Sequence, residues 1–352
     1  MVWKPGDLLQ GGKYKVESIL GRGSFGITYL VKDGKGDRAV IKTLDDPHLS
    51  AQAFKRLQSR FVMEAFKLAK CQHPHIVRLL ADPFQEPAPS QNLDLWCIAM
   101  EYIAGTTLEN RDNQILSESE ALNYIKQIGE ALIVVHQNQL VHNDVRPGNI
   151  MIRAGSAKAV LIDFGLAREG DRALSVNSVA TATEPNYAPI ELYSDKIPLQ
   201  PYTDVYSLAA TLYNLLTGKL PETSQNRKLN NQPLIPPQQH NPQISKKVNR
   251  AILQGMELDP ENRPQSVQEW LDALGIAPDT KLPNPSVDLQ TELAHKGLQL
   301  NKIQVIIALL GLIITILAAW QPLRDILKKV IKPVSTSTPT PTLNQSTPTT
   351  TK

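Results

Sequence analysis

The chain has 352 residues, long enough for a two-lobed domain with an additional segment. Its formal net charge is only +3, and no dense basic stripe is present, which argues against a nucleic-acid partner. The two cysteines, Cys71 and Cys97, have no metal-like partners, and we predict two buried free thiols in a reducing compartment. Residues 1–6 contain no apolar signal region, so we expect the first domain to stay in the cytoplasm.

Three glycines, Gly21, Gly23 and Gly26, form the first motif along the chain. Such a spacing could open either a dinucleotide-binding helix or a hairpin over a nucleotide. The residues that follow are β-branched and aromatic, which favours a second strand, whereas a dinucleotide site needs a helix N-terminus here. We therefore predict a hairpin whose glycines let backbone N–H groups approach phosphates, with Ser24 and Phe25 at its tip.

Lys42 ends an apolar stretch, residues 39–41, that is typical of a strand. A lysine in such surroundings costs free energy to bury unless it is paired. Glu64 lies farther along, in a segment where apolar residues such as Leu57 and Phe61 recur at helical spacing. We therefore predict that Glu64 is the partner of Lys42.

The most informative part of the sequence is His-Asn-Asp-Val-Arg-Pro-Gly-Asn at 142–149, followed by Asp-Phe-Gly at 163–165. It places Asp144, Asn149 and Asp163 within about twenty residues, separated by short apolar runs typical of strands. This pattern suits phosphoryl transfer. One carboxylate orients an attacking hydroxyl, while another carboxylate and an amide oxygen hold Mg²⁺ against phosphates.

Three further motifs follow in order, namely Tyr187-Ala188-Pro189-Ile190-Glu191, Asp204 at the head of an apolar helix, and Arg263. With these motifs the chain resembles a protein kinase from about residue 13 to about residue 274. The likeness is strongest to membrane-anchored bacterial kinases of the eukaryotic Ser/Thr (Hanks) type. It implies an α+β, bilobal protein-kinase fold, with a small β-rich N-lobe at about 13–103 and a larger helical C-lobe at about 104–274.

The resemblance also implies a role for each polar residue of the motifs. Asp144 would accept the proton of the substrate hydroxyl. Lys42 would hold the α- and β-phosphates of ATP, steadied by Glu64. Asn149 and Asp163 would be the ligands of Mg²⁺, with Mn²⁺ as a substitute metal.

The adenine pocket implied by the resemblance lies between the two lobes. Its hinge would bind adenine through backbone groups. Its members would be Leu20, Thr28, Ala39 and Met151 on the walls, Met100 as gatekeeper, and Glu101, Tyr102 and Ile103 at the hinge.

Other residues would be structural by the same resemblance. His142 would pack on Phe164 and help to link the lobes. Glu191 and Arg263 would form a buried ion pair. In these kinases the acid at the position of Asp204 caps the backbone of the catalytic loop.

Two substitutions depart from the family pattern. The usual lysine two residues after the catalytic aspartate is Arg146, which keeps a positive charge aimed at the γ-phosphate but replaces a compact ammonium with a planar fork. The arginine of the family's His-Arg-Asp motif is replaced by Asn143, which removes the charge that docks a phosphorylated activation loop.

The activation loop carries four hydroxyl side chains, those of Ser175, Ser178, Thr181 and Thr183. Either threonine could contact the catalytic aspartate.

We interpret the chain as a serine/threonine protein kinase that acts on protein substrates, because the Arg-Pro-Gly-Asn stretch resembles the Ser/Thr form of the catalytic loop. The first alternative is a pseudokinase that binds ATP as a scaffold or sensor. Retention of Lys42, Asp144, Asn149 and Asp163 favours the enzyme. A small-molecule kinase is a third alternative, disfavoured by the segment ending at Glu191 and by Arg263.

The sequence leaves open whether the chain forms a homodimer.

The composition changes after the kinase-like region. Residues 276–302 are polar and contain proline, and we predict a linker. Residues 303–323 carry no charge and are long enough to cross a bilayer as a helix, with Trp320 at one end. The tail, 324–352, is first basic and then rich in Ser, Thr and Pro, and we predict that it is disordered.

The resulting prediction is a single-pass membrane protein with a cytoplasmic kinase domain and a tail outside. Two signals disagree about the tail. ATP and the missing signal region place the kinase domain in the cytoplasm, whereas the lysines and arginines of the tail favour a cytoplasmic tail by the positive-inside rule. The first argument is the stronger one, because a folded domain of this size has no evident route across the membrane.

Overall fold

The computed structural model describes residues 3–23, 26–44, 50–89, 94–164, 184–194 and 196–276. The predicted loop tip at Ser24 and Phe25 lies outside these ranges, as do the hydroxyls of the activation loop. Residues 277–352, with most of the linker, the predicted membrane helix and the tail, lie outside them as well. Within the described ranges, no helix is both long enough and apolar enough to span a membrane.

The N-terminal lobe is built on a six-stranded antiparallel sheet and one long helix. The strands are β1 (Leu8–Leu9), β2 (Tyr14–Gly23), β3 (Gly26–Asp33), β4 (Arg38–Leu44), β5 (Phe84–Pro87) and β6 (Asp94–Glu101). The strand order is β1-β2-β3-β4-β6-β5. Strands β3 and β4 alternate buried with partly exposed side chains, as expected for a sheet that buries one face in the core.

Helix α1 (Ala51–Leu68) is the helix predicted around Glu64. It begins at Ser50, whose side chain accepts a hydrogen bond from the backbone N–H of Ala53. Its apolar stripe, including Leu57 and Phe61, is buried in the core. The helix therefore has the amphipathic face that its sequence pattern predicts.

The N-terminal lobe extends to residues before 13. Strand β1 pairs with β2, and the Trp3 ring packs against the Tyr29 ring with centroids 5.4 Å apart. The indole N–H of Trp3 donates to the carbonyl of Pro87 at 3.3 Å. These contacts attach the first residues of the chain to β2 and β3 and to the edge strand β5.

The C-terminal lobe is mainly helical, with a three-stranded sheet on the side that faces the first lobe. Gly129 lets two of its helices approach closely, because a Cβ there would lie 2.8 Å from Leu271 Cδ1. The sheet contains β7 (Gly105–Thr107), β8 (Ile150–Arg153) and β9 (Ala159–Leu161), and the helices are α2 (Glu118–Gln137), α3 (Pro201–Thr217), α4 (Ser224–Leu229), α5 (Pro237–His240), α6 (Lys246–Gly255) and α7 (Val267–Leu274).

Cys71 and Cys97 are both buried and unbridged, as the sequence predicts. Burial raises the pKa of the Cys71 thiol to about 11 and, for the same main reason, the pKa of the Cys97 thiol to about 12. Both side chains therefore stay protonated near neutral pH and pack as small apolar groups.

Candidate active site

A cavity of about 490 Å³ opens where the two lobes meet. Its apolar residues suit a flat ring, and its lining also contains charged and amide side chains. The lining residues include most of the predicted adenine and phosphate contacts, namely Leu20, Gly21, Thr28, Lys42, Met100, Glu101, Tyr102, Ile103, Arg146, Asn149, Met151 and Asp163. Val40, Val77, Gly105, Thr107, Gly148 and Ile162 complete the lining.

Val40, rather than Ala39, lines this cavity. Side chains alternate between the faces of a strand, so Val40 shares the face of Lys42, two residues further on in β4. Ala39 and Ile41 point to the other face and are almost completely buried in the core of the lobe. The prediction that Ala39 forms part of the pocket wall is therefore wrong, and Val40 takes that place.

Lys42 lies in the middle of the sheet, paired with Thr28 of β3 on one side and with Ile98 of β6 on the other. This position fixes the origin of its side chain, and the ammonium contacts the carboxylate of Asp163. Glu64 is buried in α1 with only 7% of its surface exposed. Its predicted pairing with Lys42 stays a prediction.

The glycine loop is a hairpin in which Gly23 of β2 pairs with Gly26 of β3. Gly26 is required by a close approach, because a Cβ there would overlap the carbonyl oxygen of Thr43 in β4. Gly21 lines the cavity directly. The chain after the glycines is therefore a strand, which excludes the helix that a dinucleotide site would need.

Asp144 and Asn149 lie on one loop that ends in a short 3₁₀ turn, Pro147–Asn149. The amide nitrogen of Asn149 donates to the backbone carbonyl of Asp144 and to its Oδ2, both at 2.8 Å. These two bonds fix the orientation of the amide, so that its oxygen is the atom left to ligate a cation. The Asp144 carboxylate is itself held in place, with 10% of its side chain exposed.

Two residues of the site have left-handed backbone conformations. Asn143 has φ 63° and Asp163 has φ 57°. Asn and Asp tolerate this region better than most residues, because their short polar side chains can bond locally. Asn143 therefore suits the sharp turn that precedes the Asp144 loop, although it lacks the charge of the family's arginine.

His142 is completely buried behind this loop. Its Nε2 donates to the carbonyl of Ile162 at 3.1 Å, and its Nδ1 accepts from the backbone N–H of Asp144 at 3.3 Å, which assigns the neutral tautomer. Burial lowers the pKa of the imidazole, in agreement with that assignment. Its ring also packs on Phe164, with centroids 4.6 Å apart.

Asp204, the fourth residue of α3, holds the backbone of the same loop. Its two oxygens accept from the backbone N–H groups of His142 at 2.8 Å and Asn143 at 2.9 Å. His136 of α2 donates to it as well, at 2.8 Å. Burial opposes ionisation of Asp204, but the bond to His136 and the other attractions outweigh it and hold the pKa of the carboxyl below its ordinary value. The sequence predicted the cap but not His136.

Glu191 and Arg263 form a bidentate pair with no exposed surface on either side chain. The two bonds measure 2.7 and 2.9 Å. The remaining three N–H donors of Arg263 reach the backbone carbonyls of Tyr202, Glu257 and Leu258. The pair therefore joins the end of the segment around Glu191 to α3 and to the turn that precedes α7.

The donor set suits Mg²⁺ bound together with a nucleotide. Asp163 and Asn149 both line the cavity and supply a carboxylate and an amide oxygen. Mg²⁺ typically takes one or two protein oxygens and completes its shell with phosphates and water. Among the described residues no group of three or more His, Cys, Asp or Glu side chains could hold a metal by itself. A carboxylate and an amide oxygen are therefore compatible with Mg²⁺ that also binds phosphate oxygens.

Sequence comparison places the chain among known proteins. Residues 14–273 match the family described as the protein kinase domain. The serine/threonine-protein kinase PknB of Mycobacterium tuberculosis is 32% identical over 269 residues, 73% of this chain and 41% of that protein. PrkC of Bacillus subtilis is 30% identical over 267 residues, 73% of this chain and 39% of that protein. The chain thus spans about two fifths of the length of the curated relatives it matches.

Solved structures give the same assignment. The apo form of PpkA-294 has a TM-score of 0.64 at 26% identity, covering 78% of this chain and 99% of that one. The kinase domain of PknI from Mycobacterium tuberculosis has a TM-score of 0.59 at 25% identity, with 78% and 99% coverage. Together with the two lobes and the cavity between them, these matches show that the chain belongs to the protein kinase domain family.

Proposed function

We propose that the chain transfers the γ-phosphoryl group of ATP to serine and threonine hydroxyls of proteins, with Mg²⁺. The observation that carries the proposal is the convergence of Lys42, Arg146, Asn149 and Asp163 on one cavity, with Asp144 hydrogen-bonded to Asn149 beside it. The curated relatives with the same domain are named serine/threonine-protein kinases, which supports the choice of acceptor.

Each of these side chains has a role that its position suggests. The Lys42 ammonium lies against Asp163 and would hold the phosphates at that end of the cavity. Asp144 would orient the substrate hydroxyl and take its proton. Mg²⁺, when bound by Asn149 and Asp163, supplies positive charge that offsets the charge on the phosphates. Because phosphoryl transfer needs mainly positioning and electrostatic stabilisation, fixed donors of this kind suffice.

The alternative, an ATP-binding scaffold, keeps the same cavity but needs no hydroxyl-orienting carboxylate. The Asp144 carboxylate accepts a hydrogen bond from the Asn149 amide, and the Asp144 backbone N–H donates to His142 Nδ1. A scaffold would not require a carboxylate held in this way. The decisive experiment is transfer of radiolabelled phosphate from ATP to general protein substrates by the full chain. Nucleotide binding without transfer would leave the scaffold as the function.

Asp144→Asn is expected to reduce kcat by about a hundredfold or more, since the general base contributes on the order of 10²–10⁴ to such reactions. The Kd for ATP should change little, because Asp144 is not among the residues that line the cavity. Steady-state kinetics and calorimetric titration with ATP would measure the two quantities. An unchanged kcat would remove Asp144 from the mechanism.

Phosphorylation of the activation loop is expected to be dispensable for basal activity. Asn143 stands where the family has an arginine, so a loop phosphate loses its usual charged anchor. Changing Ser175, Ser178, Thr181 and Thr183 singly to alanine and measuring initial rates would test this. A loss of more than about a hundredfold at either serine would contradict the prediction, whereas a threonine could matter through a hydrogen bond to Asp144.

We also propose that residues 303–323 tether the kinase domain to a membrane, with the domain in the cytoplasm and the tail outside. The support is the uncharged apolar composition of that segment and its length. A reporter attached after Lys352 that works on only one side of the membrane is expected to work outside. Activity only in the cytoplasm, with the protein still membrane-bound, would refute a single span.

For the assembly of the chain, we keep a homodimer as a proposal beside the monomer. Sedimentation velocity of the full chain in detergent, across a range of concentrations, would distinguish the monomer from the dimer.

A further inference from the structure

Arg146 occupies an unusual position between two carboxylates. Its Nε lies 3.8 Å from Oδ2 of Asp144, and its Nη1 lies 3.7 Å from Oε1 of Glu109. Both separations exceed the 2.7–3.2 Å of a normal N–H···O bond, so the guanidinium is shared between the two acids rather than docked on one. Arg146 also lines the nucleotide cavity, whereas Glu109 is about half exposed beside it.

Gly148 provides the space for this arrangement. A Cβ at Gly148 would lie 2.6 Å from Glu109 Oε2 and 2.7 Å from Arg146 Nη1. The backbone of Gly148 is not in the left-handed region, so its conformation does not require glycine. The requirement is one of volume, since the carboxylate and the guanidinium fill the place where a side chain would begin.

Backbone hydrogen bonds to the Asp144 loop fix the position of Glu109. Its backbone N–H donates to the carbonyl of Pro147 at 3.3 Å, and the N–H of Leu108 donates to the carbonyl of Ile150 at 2.8 Å. The segment after β7 is therefore attached to the Asp144 loop on both sides of Gly148. These two bonds hold the Glu109 backbone beside the loop that carries Arg146.

We infer that Glu109 is a positioning residue that holds Arg146 away from Asp144 and directed at the phosphate end of the cavity, with Gly148 supplying the room. This inference rests on the proposed phosphoryl transfer. Arg146 stands where the family has a lysine, and a planar fork can close on a neighbouring carboxylate in a bidentate pair. Such a pair would neutralise Asp144 and withdraw the cation from the nucleotide. The opposing charge of Glu109 prevents this closure.

The kinetic test uses the full chain with Glu109→Gln and Gly148→Ala, each made in the parent and in the Arg146→Lys background. In the parent, each change is expected to lower kcat about tenfold or more, because small misplacements of a charged group near the reacting atoms are costly. The KM for ATP should change less than about threefold. In the Arg146→Lys background both changes should cost less than about twofold, since a compact ammonium lacks the fork.

Glu120→Gln is the matched control, because Glu120 is an exposed glutamate of α2 outside the cavity lining and its change removes the same charge. It is expected to leave kcat unchanged. Equal losses for Glu109→Gln in both backgrounds would overturn the inference, because they would show that Glu109 does not act through Arg146. If Gly148→Ala fails to fold, the nearly isosteric Glu109→Gln still tests whether Glu109 acts through Arg146.

A second readout does not depend on turnover. The Nε–H resonance of Arg146 in ¹H–¹⁵N spectra, assigned by its loss in Arg146→Lys, is expected to shift in Glu109→Gln and to stay in place in Glu120→Gln. An unmoved resonance would overturn the inference even in an active enzyme. If the parent transfers no phosphate, the proposed function fails, while this spectrum still shows whether Glu109 places the guanidinium.

Discussion

Replacing Asp163 with asparagine is expected to reduce kcat by about a thousandfold or more. The carboxylate is the charged member of the predicted metal-binding pair, and a metal ion contributes several kcal/mol of transition-state stabilisation, of which about 4 kcal/mol corresponds to a thousandfold. The change also removes the anion that contacts the Lys42 ammonium. Both losses fall at the end of the cavity where the phosphates would lie.

The measurement is the rate of phosphate transfer at saturating ATP, with Mg²⁺ varied over a wide range. We expect the Asp163→Asn variant to stay slow at every Mg²⁺ concentration, because asparagine cannot restore the missing charge. Asp259→Asn is a suitable control, since Asp259 also pairs with a lysine but lies exposed and outside the cavity lining. A kcat within about tenfold of the parent for Asp163→Asn would contradict the assigned role.

The strands around the glycine loop were predictable because their signals are local. The β-branched run after Gly26 makes β3, and the apolar stretch before Lys42 makes β4. The sequence also indicated which residues of β4 share a face of the sheet. The prediction for Ala39 was wrong because it relied on a sequence motif alone. Side chains two residues apart lie on the same face of a strand, so Val40 shares the cavity face of Lys42.

Contacts between distant segments were harder to predict. The bond between His136 and Asp204 joins residues of two helices, and their sequence separation of 68 gives no local pattern that would pair them. The position of Glu109 beside Arg146 depends on the missing side chain of Gly148 and on backbone bonds between two loops. These features arise from tertiary packing, which composition and periodicity do not encode.

The ion pair between Glu191 and Arg263 differs from those contacts, because each partner has a motif of its own. Its expected energetic weight follows from its burial. Removing one partner of a buried pair leaves an uncompensated charge and typically costs about 3–5 kcal/mol. We therefore expect Arg263→Ala to lower the free energy of unfolding by about that amount, since Glu191 and three backbone carbonyls would lose their donors together.

Chemical unfolding of the chain, with Lys228→Ala as the matched control, would measure this effect. Lys228 pairs with Asp259 at 3.1 Å, but both side chains are at least half exposed, and such surface pairs contribute about 0–1 kcal/mol. A cost for Arg263→Ala no larger than for Lys228→Ala would show that the buried pair has no special weight. The double variant Glu191→Gln with Arg263→Met should recover part of the loss, because it buries no lone charge. That recovery would distinguish the penalty of an unpaired carboxylate from the loss of packing around α3.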